Sequence, residues 1–153
     1  MEVKSIVNYD NALFYVCSLI EFIGQKQKQK RSAVVKYLGH DIINRIYQYA
    51  DVFHCEPIEK TADDFIVRCS IPSGSFDNVA KCRYLIPDYW TIGEVYEHLI
   101  EDIAAATGKD TLVLPEEIYS SWIDDAISDY NTDFYYQPRD YIRVCYQEGK
   151  VCA

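Results

Sequence analysis

The chain has 153 residues, of which 49% are hydrophobic, and its formal net charge is -9. This length suffices for one domain, or for two subdomains that share a core, without a structural metal or disulfide bonds, and the acidic balance makes nucleic acid an unfavourable partner. No apolar run approaches the ~18 residues of a membrane span and no signal peptide is recognisable, so we expect a cytoplasmic protein without membrane contact.

Helical periodicity predicts four helices in the N-terminal half of the chain. Their expected ranges are 9–23, 32–39, 41–53 and 57–69. Gly24 is a natural stop for the first helix, which leaves residues 25–31 (QKQKQKR) as a solvated basic connector. Ser32 and Asp41 can cap the second and third helices, and Pro57 suits the first turn of the fourth.

Three further helices are predicted in the C-terminal half. Their expected ranges are 91–107, 115–130 and 138–149, with a brief extended piece at 112–114. Thr91 and Glu94 can form a capping box at the start of the first of them. The segment 78–86 fits a short helix or a strand. We therefore expect a mainly α fold, one bundle of six to seven helices over residues 1–153, whose best subdomain boundary lies at residues 70–78.

Six cysteines are present without a CxxC pair, so we expect reduced thiols that pack as small hydrophobic groups. Asp129, Asn131 and Asp133 have the spacing that opens a calcium-binding loop, with Asp140 at the twelfth position. The sixth position is Phe134, where such a loop needs glycine, and the twelfth lacks the bidentate glutamate. We expect no metal site and no cofactor.

The histidines are the starting point for an enzymatic interpretation. His98 lies between Glu94 and Asp102 at four-residue steps, an arrangement that can raise its pKa and can pair a base with an orienting acid. The same arrangement is typical of an exposed, charged helix face. The chain has no GxSxG elbow, P-loop or GxGxxG. We expect no catalytic activity, and an enzyme with a site around His98 or His54 stays an alternative.

A nucleic-acid interpretation also stays open for residues 32–53, whose outline of helix, glycine-containing turn and helix is that of a helix-turn-helix. Polar side chains on the second helix can pair with base edges, and cations of the connector can hold phosphates. This alternative would use Asn44, Arg45, Gln48, Lys28, Lys30 and Arg31. Against it, Asp41 would meet the groove first, and the chain as a whole is acidic.

The negative charge is concentrated in one stretch. Residues 86–137 contain twelve acidic residues and one basic residue, Lys109, together with both tryptophans and six of the fourteen tyrosines. An acidic surface with interleaved aromatic side chains suits a basic protein partner. The alternative to a basic partner is a homodimer, in which the exposed aromatic side chains of two copies pack against each other.

Two groups of residues in this stretch are predicted to bind the partner. They are Glu94, Glu97, Glu101, Asp129, Asp133, Tyr135 and Tyr136. The three glutamates would steer the encounter by their charge, whereas the residues of the loop 129–136 (DYNTDFYY) would anchor the complex. Because adjacent residues of a regular element face different ways, we expect one of the two neighbouring tyrosines to be exposed.

Two resemblances favour a binding protein. Residues 19–24 (LIEFIG), 35–39 (VKYLG) and 49–54 (YADVFH) resemble segments of small uncharacterised helical proteins of bacteria, of the kind that accompany toxin–antitoxin or phage-defence genes. The run from Asp133 to Pro138 (DFYYQP) is similar to the acid-x-x-Tyr-Tyr-Pro stretch of colicin DNase immunity proteins, with one residue fewer before the tyrosines and one more before the proline. These resemblances imply an antitoxin- or immunity-like protein without catalytic residues.

Overall fold

The computed structural model describes residues 10–152, and all regular structure in that range is helical. The helices are α1 Asn11–Gln27, α2 Arg31–Gln48, α3 Ala50–Phe53, α4 Ile58–Arg68, α5 Asn78–Lys81, α6 Tyr89–Thr107, α7 Leu114–Tyr119, α8 Ile123–Ser128, a 3₁₀ turn Phe134–Tyr136, and α9 Arg139–Glu148. The expected mainly α fold is confirmed, with nine α-helices in the described residues where six to seven were predicted. Tyr9, the expected start of the first helix, lies outside the described residues.

Helix α1 continues through Gly24, where the sequence predicted its end, and stops at Gln27. Lys28 follows in the left-handed conformation, with φ 53, and caps the helix with its backbone amide. A Cβ on Gly24 would lie 2.3 Å from Cδ of Arg31. The glycine is therefore required so that the Arg31 side chain can pass over α1, and the basic connector shrinks to residues 28–30.

Helix α2 contains the interruption that the sequence predicted. Gly39 has φ 78 and ψ 164, so the helical backbone breaks at this residue. The predicted cap at Ser32 is wrong, because the helix begins at Arg31 and the Ser32 amide donates to the carboxylate of Asp124 at 3.1 Å. The third predicted helix also ends early, at Gln48, and the short helix α3 continues it.

Three boundaries in the second half differ from the expectation. Helix α6 is capped by Asp88, whose carboxylate accepts a 2.7 Å hydrogen bond from the Thr91 amide, and not by Thr91. The predicted helix 115–130 is divided at residues 120–122 into α7 and α8. Residues 112–114 were expected to be extended, but they form a turn and the start of α7.

Other boundaries in this half agree with the sequence. Helix α6 ends at Thr107 and is followed by Gly108 with φ 76, and α9 follows Pro138 and ends before Gly149 with φ 80. The ambiguous segment 78–86 starts with the short helix α5 and contains no strand. These boundaries were predictable because proline and glycine act on their own backbone.

Helix α1 is the centre of the bundle and packs most extensively against α6 and next against α2. One continuous cluster of buried side chains draws on α1, α2, α4, α6, α7, α8 and α9. The segment 70–78 is fixed to the end of α1, because the amides of Gly74 and Phe76 donate to the carbonyls of Gln27 and Lys28 at 2.7 and 2.8 Å. Helix α1 thus contacts the chain on both sides of that segment.

Helices α1 and α6 approach each other closely at Gly93. A Cβ there would lie 2.3 Å from Oγ and 2.8 Å from Cα of Ser18. Gly93→Val should lower the free energy of unfolding by about 1–3 kcal/mol, because the two helices must move apart. Urea denaturation measures the loss, and Ala105→Val, at an exposed position of the same helix, is the control. An equal loss in both variants would argue against this contact.

Candidate functional site

The cations of the basic connector are neutralised within the chain. Three lysines near it lie beside a carboxylate: Lys26–Asp63 at 2.9 Å, Lys28–Asp77 at 3.7 Å and Lys30–Asp125 at 3.3 Å. Arg31, predicted as a phosphate contact, is wholly buried, and this part of the prediction is wrong. Each of the three lysines therefore has an acidic neighbour, and Arg31 is not accessible to a phosphate.

The residues expected to contact base edges differ in their exposure. Arg45 and Gln48 are exposed, and the Arg45 guanidinium lies over the ring of Tyr49, 5.9 Å from its centroid. Asn44 is half-buried. Of the six residues of the nucleic-acid alternative, one is therefore buried and one is half-buried.

The buried Arg31 side chain belongs to a polar network that crosses the core. Its Nε and one terminal nitrogen donate to the two carboxylate oxygens of Glu21, each at 2.9 Å, and it also donates to Oδ1 of Asn78 at 3.1 Å. The hydroxyl of Tyr130 donates to Glu21 as well. Burial by itself would raise the pKa of Glu21, but the attraction and hydrogen bonds of Arg31 outweigh it and lower that pKa. A buried ion pair therefore connects α1 to α2.

The same network fixes the start of the loop 129–136. The Asn78 side chain donates to the carbonyl of Ser128 at 2.9 Å, and Tyr130 is held by Glu21. Asp129 and Asp133 project from this anchored loop and are exposed. Two predicted anchor residues are therefore exposed carboxylates whose backbone is tied to the core.

The two neighbouring tyrosines face opposite ways, as the sequence predicted. Tyr135 is 8% exposed and packs edge-on against Tyr130, whereas Tyr136 is 67% exposed. The rings of Tyr135 and Tyr136 contact each other at 4.9 Å between centroids, in a T-shaped arrangement. Tyr136 is thus an exposed aromatic side chain that packs on a buried one. Tyr135 was predicted to contact the partner, but in the structure it lies beneath Tyr136 and supports it.

A second exposed loop lies beside the first, and little in the sequence indicates it. The Asn131 side chain accepts from the Arg83 amide at 2.8 Å and donates to the Lys81 carbonyl at 3.1 Å. The residues that follow, Tyr84, Leu85 and Ile86, are all exposed, Leu85 at 91%. We call these three residues the apolar loop. Its only signal in the sequence is a hydrophobic triplet before Pro87 that joins no periodic pattern.

The three glutamates predicted to steer the encounter do not share one surface. Glu94 is exposed, but Glu97 and Glu101 are buried, so the prediction is wrong for these two. The error has a physical cause: the i, i+4 spacing places both side chains on one face of α6, and that face is covered by the chain that follows, with Arg139 3.6 Å from Glu101. Of this group only Glu94 can act on a partner.

The Glu97 and Glu101 carboxyl groups are both buried, and the Oε1 atom of each has no hydrogen-bond partner within residues 10–152. Burial raises the pKa of Glu97 to about 9, and the negative charge of Glu101 contributes to the shift. Burial also raises the pKa of Glu101, against the attraction of Arg139. The raised pKa of Glu97 favours its protonated, uncharged form near neutral pH.

His98 lies at a groove between α6 and the chain around the 3₁₀ turn, together with Glu94 and both neighbouring tyrosines. The histidine is 26% exposed, and burial followed by the charge of Arg139 lowers its pKa, opposite to the sequence expectation. His54 is exposed and packs against the rings of Tyr15 and Trp90. The structure thus brings Glu94 and Tyr136 together with one of the two candidate histidines.

Comparison with known protein families, with curated proteins and with solved structures found no match for this chain. Within residues 10–152, no helix has the length and apolar character that crossing a membrane requires. The same residues contain no group of three or more His, Cys, Asp and Glu side chains placed to hold a metal ion.

Proposed function

We propose that this chain binds a basic protein in the manner of an antitoxin or an immunity protein, without catalysing a reaction. The contact would be made by one surface, the recognition surface, which comprises Glu94, Asp129, Asp133, Tyr136 and the apolar loop. Its composition, apolar and aromatic groups beside exposed carboxylates, is that of a protein-binding patch. A cytoplasmic location, reduced thiols and the toxin–antitoxin setting are parts of the same proposal.

The observation that carries the proposal is the absence of neighbouring cations. Within residues 10–152, Glu94, Asp129 and Asp133 have no Lys, Arg or His nitrogen within 4.0 Å of their carboxylates. Two other exposed carboxylates of the acidic stretch lie beside a lysine, Asp125–Lys30 at 3.3 Å and Glu117–Lys109 at 2.9 Å. Within the same residues, the exposed Asp88 and Asp110 also have no neighbouring cation, but they are not part of the recognition surface. The recognition surface therefore keeps its negative charge for an outside partner.

The aromatic and apolar members of the surface supply the short-range part of the binding energy. Tyr136 is supported from beneath by Tyr135, so little side-chain freedom is lost when it is covered. The apolar loop is held by the Asn131 hydrogen bonds and presents Leu85. Tyrosines of this kind are frequent hot spots at the centre of interfaces.

Removing the apolar side chains should abolish binding without affecting the fold. The double variant Leu85→Ser, Tyr136→Ser should unfold within about 0.5 kcal/mol of the wild-type chain, because both side chains are exposed. When immobilised at ~50 mM salt in an extract of the native cells, it should recover at least about tenfold less of a basic protein than the wild-type chain does. Equal recovery would contradict the proposal, as would the absence of any basic protein bound to the folded wild-type chain.

The homodimer alternative predicts a different result in the same experiment. If a second copy covered the apolar loop, the free wild-type chain would have twice its monomer mass in sedimentation, and the double variant would return it to the monomer. We expect a monomer of 17.8 kDa for both.

An enzyme is the second candidate, and its support is the position of His98 beside Glu94 at the groove. The lowered pKa keeps His98 neutral, as a general base requires. The nearest carboxyl group is that of Glu97, 3.5 Å away, which is protonated and hence a poor orienting base. His98→Gln tests this candidate, because it would abolish a reaction in which His98 is the base.

A further inference from the structure

The groove beside Tyr136 has a cavity volume of about 220 Å³, below the range of about 300–1,000 Å³ that is usual for small-molecule sites. Val95, Leu99 and Ile142 contribute apolar side chains to it, and Tyr135 and Tyr136 contribute rings. Glu94 is its exposed acidic residue. A space of this size and composition suits one long side chain better than a free ligand.

The free charge of the groove is negative. Arg139 also lines it, but its guanidinium makes two hydrogen bonds to Asp102, at 3.0 and 2.8 Å, and lies 3.6 Å from Glu101. The lowered pKa of His98 keeps that ring uncharged near neutral pH. The carboxylate of Glu94 has no such compensation within the described residues.

We propose that this groove binds an arginine side chain of the basic partner, an inference that rests on the proposed function and specifies its central contact. The guanidinium lies between the Glu94 carboxylate and the ring of Tyr136, and the aliphatic stem covers Val95. The planar guanidinium pairs with a carboxylate through two parallel hydrogen bonds and stacks on an aromatic ring, which a compact, strongly hydrated lysine ammonium does less well.

Arg139 and His98 would bind an anion if both carried an uncompensated positive charge. Arg139, however, already directs two donors at Asp102, and His98 is neutral. An incoming carboxylate or phosphate would also meet Glu94 at the exposed side of the groove. The geometry therefore favours a cation.

The test is an NMR titration of the ¹⁵N-labelled chain with N-acetyl-arginine amide, N-acetyl-lysine amide and acetate, each to about 50 mM, because a single side chain binds with a Kd in the millimolar range. We expect saturable shifts of the amides of residues 91–99 and 135–139 with the arginine probe, and a Kd at least about threefold weaker with lysine. Absence of saturation, equal affinity of the lysine probe, or preferential binding of acetate would overturn the inference.

Three variants locate the contact. Glu94→Gln and Tyr136→Ser should each weaken the arginine probe at least about fivefold, whereas Tyr136→Phe, which keeps the ring, should bind as the wild-type chain does. Unchanged binding by the first two would also overturn the inference. If the probe fails while the immobilised chain still recovers a basic protein that the Leu85→Ser, Tyr136→Ser variant does not, the groove is wrong and the proposed function stands.

Discussion

Arg31→Met is expected to lower the free energy of unfolding by about 3–5 kcal/mol, the largest stability change that we predict for any substitution in this chain. The variant leaves the Glu21 carboxylate buried without its cation, and the side chain of Asn78 loses a donor. The loss in the free energy of unfolding is larger than the net stabilisation that the ion pair provides, because an unpaired buried charge keeps its full desolvation cost. Urea denaturation at neutral pH measures it.

Two control variants distinguish the ion pair from a general effect of losing a cation. Lys30→Met removes a neighbouring but half-exposed cation from its pair with Asp125 and should cost about 1 kcal/mol or less. The double variant Glu21→Leu, Arg31→Met should be more stable than Arg31→Met alone, since no charge then remains buried. If Lys30→Met and Arg31→Met lost the same stability, the buried network would not have the importance given to it here.

The second large effect concerns Glu97 and depends on pH. Its pKa is raised to about 9 in the folded chain from an ordinary value of 4.5, so between these values the folded state holds one more proton than the unfolded state. Stability therefore falls as pH rises through this window, by up to about 1.4 kcal/mol per pH unit. Glu97→Gln replaces the carboxyl group with an uncharged amide of nearly the same size and removes the titration.

The comparison is made by urea denaturation at about pH 5.5 and about pH 7.5. From the lower to the higher pH, the free energy of unfolding of the wild-type chain should fall at this site, whereas that of Glu97→Gln should not. The difference between the two chains should therefore shift in favour of Glu97→Gln by more than about 1 kcal/mol. Glu94→Gln, at an exposed carboxylate of the same helix, should show no such gain. Parallel pH curves for the wild-type chain and Glu97→Gln would show that Glu97 is ionised in the folded state.

The sequence predicted those helix ends and breaks that depend only on residues close to them in the chain. The ends of α6 and α9 follow from Gly108, Pro138 and Gly149, and the break in α2 follows from Gly39. Each signal acts within a few residues through φ or a missing amide donor. The alternation of Tyr135 and Tyr136 is equally local, and it too was predicted correctly.

The errors concern pairs that are distant in the chain. Gly24 was predicted to end the first helix, but its role in the structure is to leave space for the Arg31 side chain. Glu97 and Glu101 read as surface charges, because nothing in their own helix shows that α9 brings Arg139 to them. The sequence therefore underestimated how much charge is buried, and it placed the acidic residues of α6 on one surface.

The exposure of some residues of the proposed recognition surface could be predicted from the sequence, and that of others could not. Asp129, Asp133 and Tyr136 are exposed where an acidic, aromatic loop indicated a contact. The apolar loop was missed, because its place beside them depends on the hydrogen bonds of Asn131 to residues about fifty positions away. The groove likewise depends on α6 meeting the 3₁₀ turn.

The most direct test of the central claim compares two triple variants that remove the same charge. Glu94→Gln, Asp129→Asn, Asp133→Asn removes three carboxylates of the recognition surface, which have no neighbouring cation within residues 10–152. Asp63→Asn, Glu117→Gln, Asp125→Asn removes exposed carboxylates that each lie beside a lysine. The measurement is the association rate constant with the recovered basic protein at ~50 mM salt. We predict a decrease of about tenfold or more for the first variant and less than about twofold for the second. Equal decreases would contradict a specific recognition surface.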